Sequence, residues 1–171
     1  MKIMLLSDNH GRSDLVAKLM ATWRDQVDYL LHAGDSEFAY DDSIWGLADA
    51  YVKGNMDFDM NFPTEARLST PQGKILLVHG HLHDVNHSLD LLRKMAAEED
   101  IAFVFHGHTH KLYATLEEGV LYVNPGSLNH SRGPHPEKTF AIIDIQDHAI
   151  QVDFYDDKNQ RLDRLSQHFD R

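Results

Sequence analysis

Three histidines at alternate positions, His106, His108 and His110 in the stretch FHGHTH, follow directly on the apolar run Ile101 to Val104. In an extended backbone, side chains two residues apart share a face roughly 6–7 Å from one another. That spacing suits gripping something compact, and a metal ion is the first candidate. Unlike a purification tag, the cluster is internal and interleaved with Gly107 and Thr109. The chain contains no cysteine, which removes disulfides, thiolate catalysis and cysteine-held zinc together. A metal must therefore rest on His, Asp, Glu or Asn.

Groups of that kind recur in short polar segments: Asp8 and His10 in SDNH, Asp35 in AGDS, Asn55 in GNMD, His79 in HGH, and His108 with His110 in GHTH. Singly, each has an ordinary explanation, since Asp before a helix is commonly a cap and Asn after Gly commonly a turn. Jointly they carry more weight, because all of them fall just past the end of an expected strand. In open α/β sheets that carboxyl edge is where ligands bind. Gly11, Gly34, Gly54, Gly80 and Gly107 accompany them and allow close approach of backbone to ligand.

The elements that must position these groups follow from periodicity. Lys2 to Leu6 reads as a buried strand. Ser13 reads as the cap of a helix with Leu15, Leu19, Met20 and Trp23 at helical spacing. Tyr29 to Leu31 and Ala50 to Val52 read as strands, with a short helix at Ser43 to Leu47 between them. Arg67 to Ser69 and Lys74 to Val78 form a hairpin around the Pro71–Gly73 turn, followed by a helix from Asn86 to Glu98. Ile101 to Phe105 is a strand, Leu112 to Leu116 and Val120 to Val123 flank a Glu118–Gly119 turn, and Phe140 to Ile145 pairs with Ile150 to Tyr155. The tail 156–171 reads as a short helix or a frayed end. Early βα alternation giving way to hairpins predicts an α/β fold, a two-sheet mixed sandwich flanked by helices, with residues 1–171 forming one domain.

With 42% apolar and 25% charged residues in 171, the composition is that of an ordinary globular protein, and no apolar stretch approaches the roughly 18 residues of a membrane span. MKIMLLSDNH is interrupted by Asp8 and followed by no cleavage signal, which predicts a cytoplasmic protein. The formal charge of −11 argues against a general clamp on nucleic-acid backbone, which relies on Lys and Arg. A homo-oligomer is left open.

In order along the chain, Asp8-Asn9-His10, Gly34-Asp35, Gly54-Asn55, His79 and Gly107-His108-Thr109-His110 reproduce the D-x-H, G-D, G-N, H and G-H-x-H pattern of the calcineurin-like metallophosphoesterases. From Lys2 to Ser127 the chain resembles their small YfcE-type phosphodiesterase group, which includes the phosphodiesterase-like subunit of retromer. The resemblance implies the family's four-layer fold and two divalent transition-metal ions, Mn foremost, with Ni, Zn or Fe as alternatives. It assigns Asp8, His10 and His110 to one ion, Asn55, His79 and His108 to the other, and Asp35 to a bridge. Carboxylate, amide oxygen and imidazole suit such ions. Two of them roughly 3.5–4 Å apart with a bridging hydroxide would generate a nucleophile and stabilise charge on a phosphoryl group. The expected activity is hydrolysis of a small phosphodiester, with Asn55 and His110 also catalytic and Asn55 touching substrate. A phosphomonoesterase and a non-catalytic protein-binding scaffold of the same fold are the alternatives.

Larger relatives of this pattern carry a proton-donating His after Gly-Asn. Here Met56 stands there, and a thioether has no proton to give. Asp57, His81 or a metal-bound water are the possible substitutes. His106 is left over and reads as packing. His32 reads either as orienting Asp35 from behind or as an ordinary buried histidine. His81, His83 and His87 read as solvent-exposed loop residues, one of which is a candidate for contacting the leaving group. Arg132 is a candidate for a substrate phosphate, against the simpler reading of a surface arginine.

Overall fold

The structure, a computed structural model, describes Met1 to Arg171. Eleven strands and two α-helices follow one another as β1 (Lys2–Leu6), α1 (Ser13–Trp23), β2 (Tyr29–His32), β3 (Ala50–Tyr51), β4 (Glu65–Thr70), β5 (Gly73–Val78), α2 (Asp90–Glu99), β6 (Ile101–Phe105), β7 (Tyr113–Glu117), β8 (Val120–Asn124), β9 (Thr139–Ile145), β10 (Ala149–Asp156) and β11 (Gln167–Asp170). Two mixed sheets result, ordered β11-β10-β9-β1-β2-β3 and β4-β5-β6-β8-β7. Parallel pairing joins β1 to β2 and β2 to β3 in the first sheet, and β5 to β6 and β6 to β8 in the second.

Alternation along the inner strands explains the layering. Ile3 and Leu5 of β1 meet Ile75 and Leu77 of β5 and Phe103 and Phe105 of β6 in one core between the sheets. Met4 and Leu6 point the other way, under Val16, Leu19, Met20 and Trp23 of α1. On the second sheet Leu76, Val78 and Val104 lie under Leu92 and Ala96 of α2. A strand apolar on both faces must be covered on both, so each sheet receives its partner sheet on one side and a helix on the other. This is the helix–sheet–sheet–helix sandwich expected from the sequence. No helix is long and apolar enough to cross a membrane.

Several boundaries differ from the sequence reading. Ser13 is the first residue of α1 rather than its cap; Arg12 precedes the helix, and no side chain caps it. The Arg12 guanidinium instead donates to Leu128 O at 2.5 Å. The helix expected from Asn86 starts only at Asp90, because the turns at residues 81–87, with a left-handed φ of 55° at Asp84, run on past Asn86. The tail also differs from the short helix or frayed end. After a single 3₁₀ turn at Asp163–Leu165, β11 pairs antiparallel with β10. Leu162, Leu165 and Phe169 pack against the core between the sheets, which gives the segment a reason to be ordered.

Candidate metal centre

The loops leaving β1, β2, β3, β5 and β6 converge at one edge of the sandwich. Asp8 and His10 follow β1, Asp35 follows β2, Asn55 follows β3, His79 comes directly after β5, and His108 with His110 follow β6. All seven residues expected as ligands meet there. Asp8, His10 and His110 present one ligand atom each within 4.8 Å of one another, and so do Asp8, Asp35 and His79. Asn55 Oδ1 lies 3.2 Å from His79 Nε2 and 2.9 Å from His108 Nδ1, which joins the remaining two residues to the group.

Ring orientation points in one direction. His79 Nδ1–H donates to Ala33 O at 2.7 Å and His110 Nδ1–H to His130 O at 2.9 Å. His10 Nδ1–H donates to the Glu37 carboxylate at 2.7 Å. With Nδ1 held from outside, all three rings turn Nε2 inward: His10 and His110 Nε2 are 3.4 Å apart, and His79 Nε2 is 3.4 Å from Asp35 Oδ2. Fixing the outer nitrogen is how proteins prepare an imidazole ligand.

Backbone conformation sets these residues apart. Asp8, His10, Asp35, His108 and His110 have φ values of 54°, 44°, 53°, 68° and 56°, and they make up five of the ten non-glycine residues at positive φ. Such a residue costs on the order of 1–3 kcal/mol and persists where its surroundings over-determine it. Close approach does part of that work. A Cβ on Gly107 would stand 1.9 Å from Ser7 Oγ and 2.5 Å from Asp8 Oδ2, and one on Gly54 would stand 2.1 Å from Asp35 Oδ1.

Charge is concentrated where water is excluded. Asp8, Asp35, His79 and His110 are buried. Asp8 Oδ2 accepts from Ser7 Oγ at 2.6 Å and from His108 N at 3.0 Å, whereas Oδ1 is buried without a hydrogen bond, 3.1 Å from His110 Nε2. An orphaned carboxylate oxygen facing inward imidazole nitrogens suits a cation. Burial works to raise the Asp8 pKa, but His110, His79 and Ser7 hold it below the usual range. At Asp35, burial is likewise outweighed by His79, the Met56 amide and His10, and the pKa falls to about 2. Burial would lower His79, yet Asp35 and Asp8 hold it above the ordinary histidine value. These residues therefore fit divalent cations held by carboxylates, imidazoles and one amide oxygen.

Asp57 emerges as a clamp rather than a free acid. Its buried carboxylate accepts from Asp35 N and Gly54 N at 2.8 Å each, from Ser36 Oγ at 2.9 Å and from Glu37 N at 2.7 Å. It thereby ties the Asp35 loop to the Asn55 loop. His32 does not touch the Asp35 carboxylate: it donates from Nε2 to Asn9 Oδ1 at 2.7 Å and accepts at Nδ1 from Gly34 N at 3.1 Å. Burial pushes its pKa down to about 4. His106 packs, as expected, hydrogen-bonded to Tyr113 Oη at 2.6 Å and to Gly107 O at 3.0 Å.

The reading of His81, His83 and His87 as exposed holds only for His87. His83 is buried against Glu65, Nε2 to Oε1 at 3.2 Å. His81 is half-buried, its ring centroid 5.3 Å from His79 and 6.2 Å from His108, with Nδ1 unpartnered. Arg132 is exposed, its amide bonded to His110 O at 3.1 Å. Sequence reasoning missed Ser7, Glu37, Asn124 and Ser127. Asn124 Nδ2 donates to Gly107 O at 2.8 Å, and Ser127 Oγ donates to Asp8 O at 2.8 Å. Asn124 and Ser127 bound the stretch Asn124-Pro125-Gly126-Ser127, whose local signal is that of a turn and not of a site.

A two-sheet α/β sandwich that gathers carboxylates and inward-facing imidazoles at its strand ends is the framework of a metal-binding hydrolase. The chain belongs to the calcineurin-like phosphoesterase superfamily, whose domain profile matches residues 1–148. It is 31% identical over 167 residues to YsnB of Bacillus subtilis (strain 168), a probable metallophosphoesterase, covering 96% of each chain. A conserved uncharacterized protein of Streptococcus pneumoniae TIGR4, a predicted phosphoesterase, superimposes with a TM-score of 0.96 at 36% identity, over 99% of this chain and 97% of that one. Vps29 of Entamoeba histolytica, solved with zinc, shares the fold at a TM-score of 0.76 and 21% identity, over 99% of each chain.

Proposed function

We propose that the protein is a cytoplasmic, metal-dependent phosphodiesterase that hydrolyses a small phosphodiester at a dinuclear centre. The observation that carries this reading is the set of three histidines, His10, His79 and His110, each fixed at Nδ1 and aimed inward at Nε2 beside Asp8 and Asp35. Asp8, His10 and His110 would hold one divalent ion, Asn55, His79 and His108 the other, and Asp35 would bridge; Mn is the first choice, then Ni, Zn or Fe. When bound, such ions polarise a phosphoryl oxygen and lower the pKa of water toward neutrality.

The chain's own residues then divide the remaining work. Asn55 is exposed, and with half-buried His108 it forms the side from which a phosphate can enter. Arg132, exposed nearby, would meet a non-bridging phosphate oxygen. Leaving-group protonation is the weak point. Met56 carries no donor proton, and the Asp57 carboxylate is already engaged by four donors. His81, with Nδ1 unpartnered, is the side chain left for that role. A site poor in general acid suits esters with acidic leaving groups, because such catalysis is typically worth about 10² to 10⁴ in rate.

The test is turnover by protein reconstituted with each metal. Bis(p-nitrophenyl) phosphate should be cleaved well, p-nitrophenyl phosphate poorly and alkyl monoesters hardly at all. The likeness to Vps29 supports a second reading, a scaffold that uses this fold to hold a protein partner. Metal binding without turnover of any phosphate ester would favour that reading.

A further inference from the structure

Beside the centre, the loop after Asn55 exposes apolar side chains that the proposed chemistry leaves unused. Met56, Phe58 and Met60 are 38%, 80% and 84% exposed. A cavity of about 360 Å³ opens against this loop, lined by Glu37, Phe38, Ala39, Met56, Asp57, Phe58 and Asp59. It shares walls with the centre. Glu37 holds His10 at 2.7 Å, and the Met56 amide donates to Asp35 Oδ1 at 2.7 Å. One wall is fixed, since Phe38 packs on Trp45 with ring centroids 5.7 Å apart. Phe58 on the other side remains largely in water.

We infer that this cavity is a subsite for an uncharged aromatic substituent of the phosphodiester, inserted between Phe38, Met56 and Phe58 while the phosphate lies at the metal centre. The inference rests on the phosphodiesterase reading and specifies its substrate class. Aromatic faces and a thioether favour a planar ring. Charge narrows the choice further. The lining holds Glu37, Asp57 and Asp59 and neither Lys nor Arg, so a second phosphate or a carboxylate would meet repulsion there. The substrate class is a diester with one aromatic, non-anionic arm, rather than a compound carrying a further phosphate.

Direct binding to the metal-loaded protein, measured by titration calorimetry with diphenyl phosphate and dimethyl phosphate, separates this inference from catalysis. The native protein should bind the diphenyl ester about tenfold more tightly, as an aromatic contact of roughly 1.4 kcal/mol implies. Phe58→Ala should remove most of that preference and leave dimethyl phosphate binding unchanged, whereas Phe58→Tyr, which keeps the ring, should preserve it. A carboxylate on each ring should weaken binding. Equal preference in the native protein and Phe58→Ala overturns the subsite even if diesters are hydrolysed. Absence of turnover with the preference intact defeats the phosphodiesterase reading and leaves the subsite standing. If Phe58→Ala leaves both affinities alone but dissociates an oligomer, the patch is a protein interface and the subsite is wrong.

Discussion

The floor of the metal centre and its rim are built on opposite terms. Asp8, His79 and His110 on the floor are buried, and each is tied to backbone or to another ligand. On the rim, Met56 and Phe58 are exposed, and the loop that carries them is held by backbone donors, Met56 N to Asp35 Oδ1 and Gly54 N to Asp57, while exposed Asn55 reaches back to His79 and His108 through its side chain. On the proposed function the floor would fix where cations sit. The rim would face the substrate, and Met56 and Phe58 can change there while the backbone bond from Met56 N to Asp35 Oδ1 stays in place. Metal use and substrate choice would then fall largely to separate residues, with Asn55 as the link between them.

The largest effect should come from breaking the floor. Asp35→Asn removes charge from the proposed bridge and takes away the carboxylate that lies 3.4 Å from His79 Nε2. Metal affinity should fall by more than the roughly 10–100-fold typical of an outer hydrogen-bonding partner. Calorimetry with Mn, and metal content after gel filtration, would check this; full metal retention would show that Asp35 is dispensable.

Asp57→Ala tests the joint between floor and rim. Four donors would lose their acceptor, and each buried unsatisfied group costs about 1–3 kcal/mol. Destabilisation of at least about 3 kcal/mol in urea unfolding is expected. A small loss of stability would mean that water or a neighbouring carboxylate replaces the clamp.

Acid should also act on buried histidine. Burial depresses the folded-state pKa of His32 to about 4 from the ordinary histidine value of about 6.5. Between these values the unfolded chain binds a proton that the folded chain does not, so stability rises with pH across that window. The contribution is complete above about pH 6.5 and is lost as pH falls toward 4, up to about 3 kcal/mol in all. Urea titrations without metal at pH 7, 6 and 5 would follow it, and His32→Gln should flatten the slope. A slope unchanged in the variant would assign the acid sensitivity elsewhere.

Metal-loaded protein should show an acid limit of its own, since a cation binds only deprotonated imidazole. His79, held above the ordinary histidine value, must give up its proton. Excess Mn should shift the acid limb of activity downward, and a limb that ignores metal concentration would have another origin. The smallest change belongs to the rim. Met56→His should raise turnover of alkyl esters by about tenfold, at the low end of what a positioned acid supplies, while aryl diester rates change little. No gain on alkyl esters would mean that residue 56 points away from the leaving group.

Strand order of apolar residues made both sheets legible, because strands apolar on both faces, such as Lys2–Leu6, have few other uses. Each proposed ligand showed in the sequence as a polar residue just past an expected strand, and the resemblance to the metallophosphoesterase pattern gave it its role. The tail was not: Leu162, Leu165 and Phe169 are too sparse to show a period, and only the groove beside β10 gives them a surface to cover. Glu37 and Asp57 were opaque for a related reason. Their roles come from partners brought together by folding, the His10 ring for Glu37 and three backbone amides with the Ser36 hydroxyl for Asp57, and the sequence shows only two more acids in an acidic chain. The start of α2 was hidden because the turns before it close through backbone bonds, His83 N to Gly80 O and His87 N to Asp84 O, that the sequence does not display.

The positive φ values at Asp8, His10, Asp35, His108 and His110 have an evolutionary reading. Glycine would occupy any of those backbone positions with less strain, so a lineage freed from the need for cations could gain stability by mutating the residues proposed to bind them. Such drift is open to every chain whose fold is kept only for its shape. In this chain all five are Asp or His, so the edge of the sandwich carries side chains that its backbone alone would not favour.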